Sequence, residues 1–183
     1  GIRCLVIDGS AISRTFKPIQ NKYIRAKLKE ASVFGWDNID GELVVGKNFQ
    51  ETSSGVMSFD GQPDFKYLVF DSLTDADYPY TDRVDDLLSL SPCPPFIQVL
   101  EQVEVVGPVV LKDLLDYYLE QGHEGIMLRD PNGIYKCGRS TLKEGILLKL
   151  KPFCDREATV VGFVEKFFNE SRVTSDNFGL AKR

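Results

Sequence analysis

Two lysines on one short stretch carry the clearest chemistry. In Leu147-Leu148-Lys149-Leu150-Lys151-Pro152, strand-like alternation puts Lys149 and Lys151 on one face and Leu148 and Leu150 on the other. Two ammonium groups about 7 Å apart along a strand suit the oxygens of one phosphate. The competing reading is a half-buried strand with a wetted lysine face. Two acidic segments come next. Asp40-Gly41-Glu42-Leu43 and His123-Glu124-Gly125-Ile126 each set an acid beside a glycine at the mouth of an apolar strand, and glycine lets a ligand approach the backbone. Two carboxylates near a polyphosphate suit Mg²⁺, which takes one or two protein oxygens and keeps its waters. Taken singly, each is an acid in a solvated turn. Phe70, in Tyr67-Leu68-Val69-Phe70-Asp71, has the side chain to stack on a nucleobase, although a core phenylalanine is the commoner outcome. Arg3, Arg14 and Arg129 are phosphate or ribose candidates, each alone in its segment. His123 reads as a surface or helix-end residue rather than a base.

Two other patterns are set aside. Gly41 to Asn48 nearly spells the phosphate-binding loop G-x-x-x-x-G-K-[ST]. Asn48 lacks the hydroxyl that holds Mg²⁺, Glu42 to Val45 are stiff and strand-like, and no strand–loop–helix setting is expected there. Cys4, Cys93, Cys137 and Cys154 are widely spaced beside one histidine, which excludes a structural zinc site and fits a reduced compartment.

Positioning these groups requires a mixed fold. Asp8-Gly9 between Ile2–Ile7 and Ala11–Phe16 predicts a hairpin. Further strands are expected at 38–45, 65–71, 96–106, 125–129, 133–136, 145–151 and 158–167. Helices are expected at 21–31, 82–90 and 110–121, the last carrying Leu111, Leu114, Leu115, Tyr118 and Leu119 on one stripe with Gly122 as its cap. Residues 50–59 read as a loop or short helix. The class expected is α+β with largely antiparallel sheets. Pro152-Phe153-Cys154-Asp155 is the candidate domain junction, and the 31 residues after Pro152 are too few for a second independent core.

The 183-residue chain carries 22 Lys+Arg against 27 Asp+Glu, a net charge of −5, which argues against a small basic coat for nucleic acid but not against a local basic groove. No apolar run approaches the roughly 18 residues of a membrane span, and no secretory leader is read at the start.

In order, Gly1-Ile2-Arg3, Asp40-Gly41-Glu42-Leu43, Tyr67-Leu68-Val69-Phe70-Asp71, Glu124-Gly125-Ile126-Met127-Leu128-Arg129 and Leu148-Lys149-Leu150-Lys151-Pro152 resemble the motifs of the covalent nucleotidyltransferase superfamily. Within it the chain resembles the ATP-dependent DNA ligases, particularly the small bacteriophage enzymes, most of all at 122–136 and 49–55. The resemblance implies an antiparallel-sheet, ATP-grasp-like adenylation domain over residues 1–152, lacking its N-terminal part. The incomplete start of an OB-fold would follow over 153–183, with strands near 157–163 and 178–183. It implies ATP and Mg²⁺ as cofactors and nicked duplex DNA as partner. The implied chemistry passes AMP from ATP to a lysine, then to a 5′-phosphate, before the 3′-hydroxyl seals the strand in replication, repair or recombination. A monomer in a host-cell cytoplasm is expected.

Carried over by position, Arg3, Phe70 and Ile126 contact the nucleotide, and Glu42 lies near ribose and metal. Glu124 binds metal, Lys149 and Lys151 act at the α-phosphate, and Arg14 touches DNA or nucleotide near the nick. The nucleophile motif of the resemblance reads Lys-x-Asp-Gly-x-Arg, so its lysine falls three places before Gly1. The expectation is a fragment, cut at both ends, that does not adenylate itself. RNA ligase, mRNA-capping guanylyltransferase and a non-catalytic nucleotide-binding module stand as alternatives.

Overall fold

The computed structural model describes residues 1–153, 157–165, 174–175 and 181–182. Contacts divide the chain into Gly1–Pro152 and Phe153–Arg183. The first unit begins with the hairpin: β1 (Ile2–Ile7) turns through Asp8 and Gly9 into β2 (Ser10–Ser13). Both turn residues have positive φ, 49° and 68°, as the tight hairpin turn demands. β3 (Ile39–Val45) pairs antiparallel with the other side of β1, and β4 (Phe65–Ser72) pairs antiparallel with β3. β5 (Ile97–Val99) closes the sheet, parallel to β4, giving the order β2-β1-β3-β4-β5.

Two helices pack their apolar faces into the core. α1 (Lys22–Ser32) starts at Asn21, a buried residue whose Oδ1 accepts from the Ile24 N–H at 2.9 Å. Its Nδ2 donates to the Ser58 carbonyl at 3.1 Å, tying helix start to the end of α2. α2 (Phe49–Met57) starts at Asn48, whose Oδ1 accepts from the Glu51 N–H at 2.9 Å, a reciprocal cap of the Asn/Glu kind. Ile24, Leu28 and Val56 from these helices pack with Cys4, Val6, Ile39, Leu43, Tyr67 and Val69 from the strands, together with Trp36. Alternation along β1 and β3 therefore leaves Arg3 and Glu42, which sit opposite each other in register, on the sheet face away from the core.

The remainder of the first unit is α3 (Tyr80–Ser89), α4 (Pro108–Glu120) and a two-stranded antiparallel sheet of β6 (Ile126–Arg129) and β7 (Leu147–Leu150). In the second unit β8 (Thr174–Ser175) pairs antiparallel with β9 (Ala181–Lys182).

Of the two readings offered for residues 50–59, loop or short helix, the helix holds as α2, with Asn48 and Glu51 supplying its cap. Other expectations are corrected. Residues 100–106 and 133–136 are not strands, because β propensity without a paired neighbour does not make a ladder. Of 158–167, residues 158–165 carry no strand, and 166–167 lie outside the described residues. The expected strand at 178–183 falls mostly outside them. The phosphate-loop look-alike does occupy a strand–turn–helix setting, β3 to α2, against expectation. Its anion position is filled from within: Glu51 Oε2 accepts from the Lys47 N–H at 2.7 Å.

Candidate functional site

Arg3 leaves β1 on the open face and meets Asp40 on the neighbouring strand. Its Nε donates to Asp40 Oδ1 at 3.0 Å and its Nη2 donates to Asp40 Oδ2, a two-pronged pair. Asp40 is fully buried, while the Arg3 side chain is 42% exposed. The bonds to Asp40 push the Arg3 pKa above its ordinary value, against the opposing effect of burial. Arg3 Nη1 has no protein partner among the described residues, so one edge of the guanidinium is clamped and the other is available.

Phe70 stands where β3 and β4 slip out of register. Gly41 pairs with Val69 while Asp40 pairs with Asp71, so Phe70 is the extra residue of a bulge. Val69 stays in the core and Phe70 is half-buried. Two guanidiniums lie near its ring, Arg3 at 5.9 Å and Arg129 at 5.6 Å from the centroid, within cation–π range. Arg129, from β6, also pairs with the buried Asp71. Asp71 in turn holds the buried Arg83 of α3 through 2.8 and 3.2 Å bonds. One carboxylate thus joins the large sheet, α3 and the small sheet.

The lysine strand follows the expected alternation. Lys149 is exposed on β7, with Leu148 and Leu150 half-buried, and Lys151 follows directly after the strand. Lys151 Nζ donates to Glu124 Oε2 at 2.8 Å. That bond first, and then the charges of Lys151 and Lys149, hold the Glu124 carboxyl below its ordinary range. Glu124, Lys149 and Lys151 thus share one electrostatic neighbourhood, and no described side-chain contact joins Glu42 to it. Among the described residues no group of three His, Cys, Asp or Glu side chains gathers as a metal cage. A glutamate such as Glu124, with phosphate and water in the remaining positions, is a donor that Mg²⁺ accepts.

The space left by the missing Cβ of the glycines beside these acids is filled by the protein itself. A Cβ on Gly41 would lie 2.6 Å from the Leu68 carbonyl and 2.7 Å from the Tyr67 ring. A Cβ on Gly125, at φ 149°, would lie 2.2 Å from the Leu150 carbonyl. Both serve protein packing. Ile126 sits half-buried on β6 opposite Leu150. Arg14 is exposed in the turn after β2, and no described contact joins it to Arg3 or Phe70. Cys4, Cys93 and Cys137 are free thiols.

Sequence reasoning passed over Asp40 as an arginine anchor, the Asp71–Arg83 pair and Tyr135. Tyr135 Oη donates to Asp40 Oδ2 at 2.8 Å and accepts from Arg3 Nη2 at 3.3 Å. Its separation from Asp40 by 95 positions left no local signal. The buried Arg83 was legible only as a charge on the apolar stripe of α3.

The fold and these groups describe an α+β domain with an arginine- and lysine-rich face suited to a phosphorylated ligand. A family model for the ATP dependent DNA ligase domain matches residues 8–151, and the chain belongs to that family. It is 34% identical to a DNA ligase of Haemophilus influenzae over 128 residues, 67% of this chain and 46% of the relative. A DNA ligase of Enterobacteria phage T3 is 36% identical over 78 residues, 41% of this chain and 21% of the relative. Chlorella virus DNA ligase-adenylate superposes with a TM-score of 0.74 at 39% identity, covering 82% of this chain and 58% of that one. A Lig E DNA ligase gives a TM-score of 0.64 at 25% identity over 83% of this chain and 59% of its own. The chain thus spans less than half the length of the curated relatives it matches. Among the described residues, no helix is long and apolar enough to cross a membrane.

Proposed function

We propose that this chain supplies the nucleotide-binding part of an ATP-dependent DNA ligase, and that the whole protein seals nicks in duplex DNA through AMP carried on a lysine and then on a 5′-phosphate. The observation that supports the reading is the pairing of Glu124 with Lys151 at 2.8 Å beside the charge of Lys149. In this reading Lys149 and Lys151 neutralise the α-phosphate, Phe70 stacks on the base, and Arg3 and Ile126 contact the nucleotide. Arg14 meets DNA near the nick. Phosphoryl transfer depends mostly on positioning and charge neutralisation, work that residues of these types suit. Glu42 and Glu124 would hold Mg²⁺, which when bound offsets charge on the phosphates. The division at Pro152 supports an adenylation domain over 1–152 and the start of an OB-fold over 153–183.

The test has two parts. Titration calorimetry of this chain with ATP and Mg²⁺ is expected to show binding, and Lys149→Ala to weaken it roughly tenfold to a hundredfold, the worth of a charged hydrogen bond. A chain extended upstream through Lys-x-Asp and downstream through a whole OB domain is then incubated with α-labelled ATP or GTP. Acid-labile protein-bound label from ATP, lost when that lysine becomes alanine, is the expected result. Label from GTP moves the parent to the capping class, and no binding or label from either overturns the proposal.

A further inference from the structure

We propose that Tyr135 is a positioning residue that fixes the Arg3 guanidinium for the nucleotide, an inference that rests on the reading above. Arg3 is clamped through Nε and Nη2 to Asp40, and Nη1 is left without a protein partner among the described residues. A two-atom clamp sets the plane of the guanidinium only as firmly as the carboxylate is itself fixed. Arg3 pivots with Asp40 unless a third group holds that carboxylate. Tyr135 is that group: its hydroxyl donates to Asp40 Oδ2 at 2.8 Å and accepts from Arg3 Nη2 at 3.3 Å.

Tyr135 is well placed to impose geometry. Its backbone N–H donates to the Ala76 carbonyl at 2.7 Å. The Arg83 guanidinium lies 5.9 Å from its ring centroid, and Arg83 Nη1 also donates to the Gly133 carbonyl at 3.1 Å. Backbone, ring and hydroxyl are thus each engaged by a different partner. Burial first, then the charge of Asp40, raises the hydroxyl's pKa, so it remains a protonated donor throughout the working range.

The test uses Tyr135→Phe, which keeps the ring and removes only the hydroxyl. In the ligand-free chain, NMR is expected to show the Arg3 side-chain Nε–H exchanging with water about tenfold faster, the loss of one hydrogen bond to a charged group. ATP affinity is expected to fall by a similar factor. In an Arg3→Lys background, where the planar fork is gone, Tyr135→Phe is expected to leave ATP affinity nearly unchanged. A residue that only stabilises the fold would lower the melting temperature, leave the Arg3 Nε–H rate unaltered, and change affinity equally in both backgrounds; that result overturns the proposal. Faster Arg3 exchange with no ATP binding by the unaltered chain overturns the nucleotide reading itself, and the positioning role with it.

Discussion

Glu144 shows how much a single exposed acid owes to its neighbours. Lys136 donates to it at 2.6 Å, and the Thr141 N–H and hydroxyl donate at 2.8 and 3.0 Å. The bond from Lys136 and then those from Thr141 lower its pKa to about 2. A folded-state pKa below the unfolded one means that this group contributes stability above the unfolded value, near about 4.3, and that the contribution is lost as pH falls towards about 2. NMR titration of the Glu144 carboxyl carbon is expected to give a midpoint of about 2, returning towards the ordinary glutamate value in Lys136→Met. At this scale the sequence was informative about type and poor about partner. Lys149 declared itself by alternation, because strand geometry alone fixes its face, while Lys151 falls just past the end of β7. Arg3 was legible as a phosphate candidate, but its bonds to Asp40 and Tyr135 join strands and loops far apart in the chain.

At the level of elements, the bulge between β3 and β4 determines which side chains reach the open face. It lies beside Gly41, whose missing Cβ makes room for the Tyr67 ring and the Leu68 carbonyl. Gly41→Ala would force an atom to 2.6 Å from that carbonyl, a contact that no side chain can yield to. Overpacking of this kind costs about 1–3 kcal/mol, and urea unfolding is expected to show at least the upper end of that range. The Tyr67 hydroxyl bond to the Cys4 carbonyl, 2.9 Å in the unaltered chain, is the contact displaced. The sequence marked Gly41 as unusual but assigned the space to a ligand, since a glycine reports that something comes close and not what. The α4 stripe was equally clear, yet none of its side chains is buried among the described residues. Periodicity identifies an apolar face without identifying what covers it. The cap at Asn48 turned a polar stretch into α2, a signal present in the sequence but weaker than the absence of an apolar stripe.

Across the whole first unit, Asp71 is the joint between the large sheet, α3 and β6. It is fully buried, with Arg83 equally so and Arg129 at 18% exposure. Removing one partner of a buried pair leaves an uncompensated charge and costs about 3–5 kcal/mol. Asp71→Asn is therefore expected to lower unfolding free energy by about that amount in chemical denaturation, with faster amide exchange across 129–135. Wild-type-like stability in that variant would show that the two arginines find other partners and that Asp71 is not the joint. Ligase family membership was legible in the amino-acid sequence, because five short motifs in fixed order constrain identity more than any one element does. The α+β class and the β1–β2 hairpin followed from turn chemistry and alternation, which act over a few neighbouring residues. Tertiary structure alone decided that Asp40, Arg3 and Tyr135 form one cluster, that Phe70 lies by two guanidiniums, and that Gly41 and Gly125 accommodate protein. Those outcomes depend on bulge register and on contacts between residues tens of positions apart, and no local periodicity encodes them.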